Sequence, residues 1–245
     1  MTANGSTNGP RTAVVTGGSG GIGVACAEVL VERGYDVVLT ARTESRLRET
    51  AERIGARWVA ADAAEPDDLD RVVAAVDHID LLVHSAGILK GTFVRKETLA
   101  DFDDVIRANL RSVFVTTHAV LPKMREGSRI VYISSSAGKE PMKARSAYSA
   151  SKAGLNAFAL ALAREVARDG IQVTTLIPAP VETDMLEDVT FEMVALQSKD
   201  VADALVFLDQ LDPRVVVPEI AMHAMPEGPL APAPLSPEAF KRRQR

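Results

Sequence analysis

The chain has a single cysteine, Cys26, in 245 residues, so no disulfide can form within it. Cys26 falls in an apolar helical stretch, where a small buried thiol is the expected role. Basic charge is not in excess. The formal net charge is -5, which argues against a nucleic-acid partner. No apolar run approaches the roughly 20 residues that a membrane span needs. Residues 1–10 have neither a basic stretch nor an apolar core and do not read as a secretory signal. A cytoplasmic protein without a membrane partner is the expectation. There is no internal repeat and no composition break that would mark a second domain.

Short apolar runs alternate with helical periodicity. Strands are expected at 12–16, 36–41, 57–61, 80–84, 129–134, 171–177 and 214–217. Helices are expected near 22–33, 43–54, 66–77, 98–124, 146–169 and 199–210. This alternation predicts an α/β fold, a single Rossmann-like doubly wound parallel sheet of about seven strands with helices on both faces. The expected organisation is a flexible tail over 1–10, a catalytic domain over 11–225 and a proline-rich, flexible tail over 226–245. The segment 184–199, with Met185, Leu186, Val189 and Phe191, is expected to be a lid over the substrate. Its apolar residues suit an apolar or mixed substrate, and they would equally serve as core. Its acidic residues disfavour a highly anionic one.

Two motifs carry chemistry. Gly17-Gly18-Ser19-Gly20-Gly21-Ile22-Gly23 follows the strand 12–16 and opens a helix. Glycines there let the backbone approach a pyrophosphate, and the helix N-terminus presents free N–H groups to it. Tyr148 and Lys152 stand four residues apart in a helical stretch, which stacks a phenol and an ammonium on one face. A positive charge beside a tyrosine is expected to lower its pKa toward a useful range for proton transfer.

These motifs together resemble the short-chain dehydrogenase/reductase family over about residues 11 to 220. Further residues fit its order. Asp62 resembles the family's acidic residue beside the adenine ring, Asn109 its catalytic asparagine and Ser135 its catalytic serine. Pro178-Ala179-Pro180-Val181-Glu182-Thr183 resembles the segment that holds the nicotinamide carboxamide. Ser134 and Ser136 flank Ser135. The thirteen-residue spacing to Tyr148 and the following Ala137-Gly138 select Ser135. The resemblance implies catalytic roles for Asn109, Ser135, Tyr148 and Lys152. It implies cofactor contacts from Gly17, Ser19, Gly21, Ile22, Gly23, Arg42, Asp62, Ala63, Ser85, Ala86, Gly87, Tyr148, Lys152, Pro178, Val181 and Thr183. It calls for no metal. Dimers or tetramers formed through long helices are common in the family. Apolar residues beyond one face, such as Phe114 and Phe158, fit such association.

The end of the second strand bears on the cofactor. Ala41-Arg42 offers no carboxylate to the ribose hydroxyls of NAD, and Arg42 could take a 2′-phosphate. NADP(H) is therefore expected over NAD(H), although Arg42 could also be a solvated arginine and Thr43 a helix cap. The chain departs from the family in places. His84-Ser85-Ala86-Gly87 stands where Asn-Asn-Ala-Gly is usual. His84 is expected to be structural, hydrogen-bonded beneath the cofactor loop, with a proton donor as the other reading. The activity implied is hydride transfer between nicotinamide and a small-molecule carbonyl or secondary alcohol. A catalytically weak cofactor-binding regulator is the alternative. A nucleotide-sugar epimerase would need a larger substrate domain, and a methyltransferase has no use for the Tyr148/Lys152 pair.

Overall fold

The computed structural model describes residues 9–183 and 195–225. A seven-stranded sheet is built from β1 (Thr12–Thr16), β2 (Asp36–Ala41), β3 (Arg57–Ala60), β4 (Leu81–His84), β5 (Arg129–Ile133), β6 (Gln172–Pro178) and β9 (Glu219–Met222). Its spatial order is β3-β2-β1-β4-β5-β6-β9, and every pairing is parallel. The chain is thus a Rossmann-like α/β protein.

Strands β1, β5 and β6 are buried along their whole length, as expected of strands covered on both faces. Successive side chains serve opposite faces. On one face, Ala13, Val15, Val37 and Leu39 pack with Cys26 and Leu30 of α1 (Gly21–Glu32), Leu47 of α2 (Glu44–Ile54) and Leu205 of α7 (Ser198–Gln210). On the other face, Val14, Val38, Leu82 and Ile130 pack with Leu69 of α3 (Pro66–Ala74), Val113 of α5 (Ser112–Val120) and Leu155 of α6 (Ser146–Glu165). Each such aliphatic side chain contributes about 1.5–3 kcal/mol on full burial.

Three expectations need correction. The last strand is Glu219–Met222, not 214–217. Val215 and Val216 are exposed, and pairing with β6 starts beyond Pro218, at Thr175 opposite Glu219. The proline has no N–H to offer a ladder. Second, the expected helix over 98–124 is not one α-helix. It runs as α4 (Leu99–Ile106), a π-turn (Arg107–Arg111) containing Asn109, and α5, with a closing 3-10 turn (Leu121–Lys123). Third, the end of the expected lid belongs to the body of the fold. Leu196 is buried, and Leu196–Gln197 (β8) pairs with Val181–Glu182 (β7) before α7 begins. Residues 184–194, the rest of that lid, and the tails 1–8 and 226–245 lie outside the described residues.

Asp209 near the end of α7 clasps the edge of the sheet opposite the glycine turn. Its carboxylate accepts from Arg11 (2.7 Å), Arg33 (2.8 Å) and the Tyr35 hydroxyl (2.6 Å), and its side chain is only 6% exposed. Asp209→Ala would leave the Tyr35 hydroxyl and two guanidiniums short of an acceptor, although Arg11 can turn to water. The expected loss is about 2 kcal/mol in a urea-unfolding experiment. An unchanged midpoint would show that the clasp contributes nothing.

Candidate active site

The glycine turn has a shape that only glycine permits at two positions. Gly17 has φ +69°, and a Cβ there would lie 2.9 Å from the Ala86 nitrogen. A Cβ on Gly23 would lie 2.2 Å from the Gly17 carbonyl oxygen. Helix α1 is therefore drawn tightly against the turn that precedes it. No side chain caps its N-terminus at Gly20. The first-turn N–H groups have no acceptor within the helix, so they fit an anionic group such as a pyrophosphate.

A cavity of about 470 Å³ runs from this turn along the carboxyl edge of the sheet. Gly17, Ser19, Gly21 and Ile22 line one part of it. Ala41, Arg42, Asp62 and Ala63 line the side toward β2 and β3, and Ser85, Ala86 and Gly87 the floor after β4. Tyr148, Lys152 and Thr183 line the remaining part. Gly23, Asn109, Ser135, Pro178 and Val181 are not lining residues. Gly23 packs beneath the turn, Val181 is buried in the core, and Pro178 ends β6 opposite Met222. Arg42, with Glu44 two residues on in the first turn of α2, lies on the β2 side of the cavity, and the uncapped glycine turn suits the pyrophosphate of a dinucleotide.

Tyr148 and Lys152 project from the first two turns of α6. The Lys152 ammonium lies 5.8 Å from the centre of the Tyr148 ring and donates to the Ile133 carbonyl at 3.0 Å. Both side chains are buried. Burial lowers the Lys152 pKa to about 8. It also raises that of Tyr148, and the hydrogen bond with Ser135 opposes that rise. The expectation that the ammonium lowers the phenol pKa therefore needs correction. Desolvation disfavours both charged forms, and at Tyr148 it outweighs the hydrogen bond with Ser135.

Ser135 opens a 3-10 turn and accepts from the Ala137 N–H at 3.2 Å. Ser134 turns into the core and donates to the Asn156 side chain at 2.6 Å, which separates the two neighbours as the spacing argument expects. Asn109 is fully buried. Its amide oxygen accepts from the Ile88 N–H (2.7 Å), and its amide nitrogen donates to the Ile88 carbonyl (2.9 Å) and to Ser151 (3.1 Å). An added Cβ at Gly87 would sit 3.0 Å from the Asn109 amide oxygen and 3.7 Å from the Lys152 nitrogen, so these residues are close neighbours.

His84 is fully buried. Its Nδ1 lies 3.1 Å from the Thr16 hydroxyl and its Nε2 3.3 Å from the Ser112 hydroxyl. Burial, aided by the charge of Lys152, lowers its pKa to about 3. It is therefore a neutral, hydrogen-bonded histidine beneath the loop. The sequence reading missed Arg107, which lines the cavity and donates to Asp62 (2.9 Å) and Glu65 (2.6 Å). Arg107 opens the π-turn, and nothing in the local pattern marks that turn.

The buried ammonium has a consequence for stability. Between pH about 8 and its ordinary value of 10.5, Lys152 is more readily protonated in the unfolded chain than in the fold. Stability therefore gains with rising pH in that window. Tyr148, with its raised pKa, works in the opposite direction only above about pH 10. Compared with Lys152→Met, the parent should gain about 2 kcal/mol of unfolding free energy from pH 8 to 10. Parallel stability curves for the two proteins would contradict this.

The family model for short chain dehydrogenases matches residues 11–193. Acetoacetyl-CoA reductase of Cupriavidus necator is 38% identical over 201 residues, covering 76% of this chain and 82% of that protein. The 3-oxoacyl-[acyl-carrier-protein] reductase FabG of Vibrio cholerae is 33% identical over 227 residues, covering 89% and 91%. Among solved structures, BdcA in complex with NADPH superposes with a TM-score of 0.81 at 27% identity, covering 88% of this chain and 93% of that one. A short chain dehydrogenase from Burkholderia cenocepacia in complex with NADP gives 0.79 at 30% identity, covering 87% and 96%. With a parallel sheet, a glycine turn and a Tyr148/Lys152 helix in the same order, the chain belongs to the short-chain dehydrogenase/reductase family of oxidoreductases.

Proposed function

We propose that the protein is an NADP(H)-dependent reductase of small-molecule ketones or aldehydes, able to run in reverse on the corresponding alcohols. The observation that carries this is the layout of one cavity. A phosphate-binding turn and Arg42 line it, and Tyr148 and Lys152 line it as well, with Ser135 in hydrogen-bond contact with Tyr148. The nicotinamide cofactor, when bound, supplies the hydride. Ser19, Gly21 and Ile22 would hold its pyrophosphate, Arg42 its 2′-phosphate, Asp62 and Ala63 its adenine side. Thr183 would line the nicotinamide end, with Pro178 and Val181 in the strands behind it. Solved structures of relatives in complex with NADPH and NADP support this choice of cofactor.

In the direction of reduction, Tyr148 gives its hydroxyl proton to the substrate oxygen. A phenol whose pKa is raised stays protonated at neutral pH, ready to donate. Ser135 donates to the same oxygen and orients it. Lys152, with a pKa brought down to about 8, is poised to return a proton to Tyr148. Asn109, clamped on Ile88 and Ser151, fixes the surrounding backbone. This intact set argues against a binding-only regulator, which has no use for a proton donor.

The test is turnover of NADPH with a panel of carbonyl compounds that includes acetoacetyl-CoA, the substrate in one relative's name. Some member should be reduced. Tyr148→Phe should lower kcat by at least about 100-fold while NADPH still binds. Arg42→Ala should erase the preference for NADPH over NADH. No turnover across the panel, or undiminished turnover by Tyr148→Phe, would refute the reading.

The protein should also associate as a homodimer or homotetramer. Phe102 and Phe114 on the α4–α5 segment and Leu160 on α6 are exposed, an apolar surface that a second copy would cover. Light scattering should give at least twice the 26.2 kDa of one chain. A monomer would reject this.

A further inference from the structure

The buried contacts of His84 form a directed chain. A backbone N–H can only donate, and a backbone carbonyl can only accept. The Ser112 hydroxyl lies 2.6 Å from the Ala108 carbonyl, so its one proton is spent there. Ser112 must then accept from His84 at Nε2, 3.3 Å away. At the other end, the Ala86 N–H donates to the Thr16 hydroxyl at 3.2 Å. With its ring proton on Nε2, a neutral His84 offers only a lone pair at Nδ1, and the Thr16 hydroxyl donates to it at 3.1 Å. The sequence runs from the Ala86 N–H through Thr16, His84 and Ser112 to the Ala108 carbonyl, with each hydroxyl accepting once and donating once and each ring nitrogen used once.

The two ends of this chain lie in different parts of the site. Ala86 belongs to the loop that floors the cavity. Ala108 precedes Asn109 within the π-turn, and Ser112 is the first residue of the helix after it. We propose that His84 is a two-ended positioning residue. Through Thr16 it fixes the cofactor loop, and through Ser112 it fixes the π-turn that carries Asn109. A neutral ring with its proton on Nδ1 would turn a bare lone pair at Nε2 toward Ser112, whose one proton is spent on Ala108, so the arrangement requires the neutral Nε2–H form. Burial beside Lys152 enforces that form.

The ring can be dissected with two amides. Asparagine carries its amide near the position of Nδ1, and glutamine near that of Nε2. His84→Asn therefore keeps the Thr16 contact and loses Ser112. His84→Gln keeps Ser112 and loses Thr16. NADPH affinity is read by fluorescence and kcat by turnover of a substrate found in the panel above. His84→Asn and Ser112→Ala should each lower kcat about tenfold, the effect of losing one buried hydrogen bond. Their NADPH Kd should stay within about twofold of the parent, and the double variant should be no worse than either single one. His84→Gln should instead raise the NADPH Kd about tenfold. A residue that only supports the fold would lower thermal stability without this split.

The unaltered protein gives a further readout. Nitrogen-15 NMR of the histidine rings, with His84 identified by its loss in the His84→Gln variant, should show a neutral Nε2–H tautomer unchanged from pH 5 to 9. An Nδ1–H tautomer, or protonation in that range, would overturn the proposal. So would parent-like kcat in Ser112→Ala, a small substitution that decides the matter even if the His84 variants fail to fold. The kcat arms rest on the proposed reductase activity. The NADPH affinities rest on its cofactor and the tautomer on neither, so failure of the hydrogen-bonded chain is distinguishable from failure of that activity.

Discussion

The constraint on which the site depends is that all seven strands of the main sheet run parallel. Parallel strands end on one edge, so every loop that follows a strand arrives at the same place. The glycine turn follows β1, Arg42 follows β2, Asp62 follows β3, Ser85 to Gly87 follow β4, and Ser135 follows β5. Residues as far apart as Gly17 and Ser134 become lining of one cavity, with Ser135 beside it, without any of them needing to recognise another. Burial on both faces keeps those strands fixed, and the clasp at Asp209 ties the opposite edge.

Inside the cavity, desolvation governs the electrostatics. Lys152 and Tyr148 each lose hydration, and each is pushed toward its neutral form. The same force keeps His84 neutral. The outcome favours a tyrosine that keeps its proton over one that stands ionised. The buried polar groups around it are spent on holding backbone. Asn109 grips Ile88, Lys152 holds the Ile133 carbonyl, and His84 joins Thr16 to Ser112. Such networks are costly when half satisfied and specify one arrangement when complete.

Much of this was legible in the sequence, because the signals were local. The glycine turn is read from spacing alone, since each glycine answers a contact made within a few residues or by an adjacent strand. Tyr148 and Lys152 are read from helical spacing. His84 was correctly expected beneath the loop. What was not legible came from contacts distant in sequence. The π-turn at Arg107–Arg111 leaves no mark in apolar periodicity, and with it went the placement of Arg107 against Asp62. The run Val215–Val217 reads as a strand by composition, yet the register of β6 and the proline after it move the pairing to Glu219–Met222. The pull of Lys152 on Tyr148 was overstated because spacing shows proximity and does not show burial.

The most direct test is a crystal structure with NADP+ bound. The pyrophosphate should lie on the N–H groups between Ser19 and Ile22, the 2′-phosphate at Arg42, and the nicotinamide within reach of Tyr148 and Lys152. A nucleotide bound elsewhere, or one whose nicotinamide lies remote from Tyr148, would contradict the account.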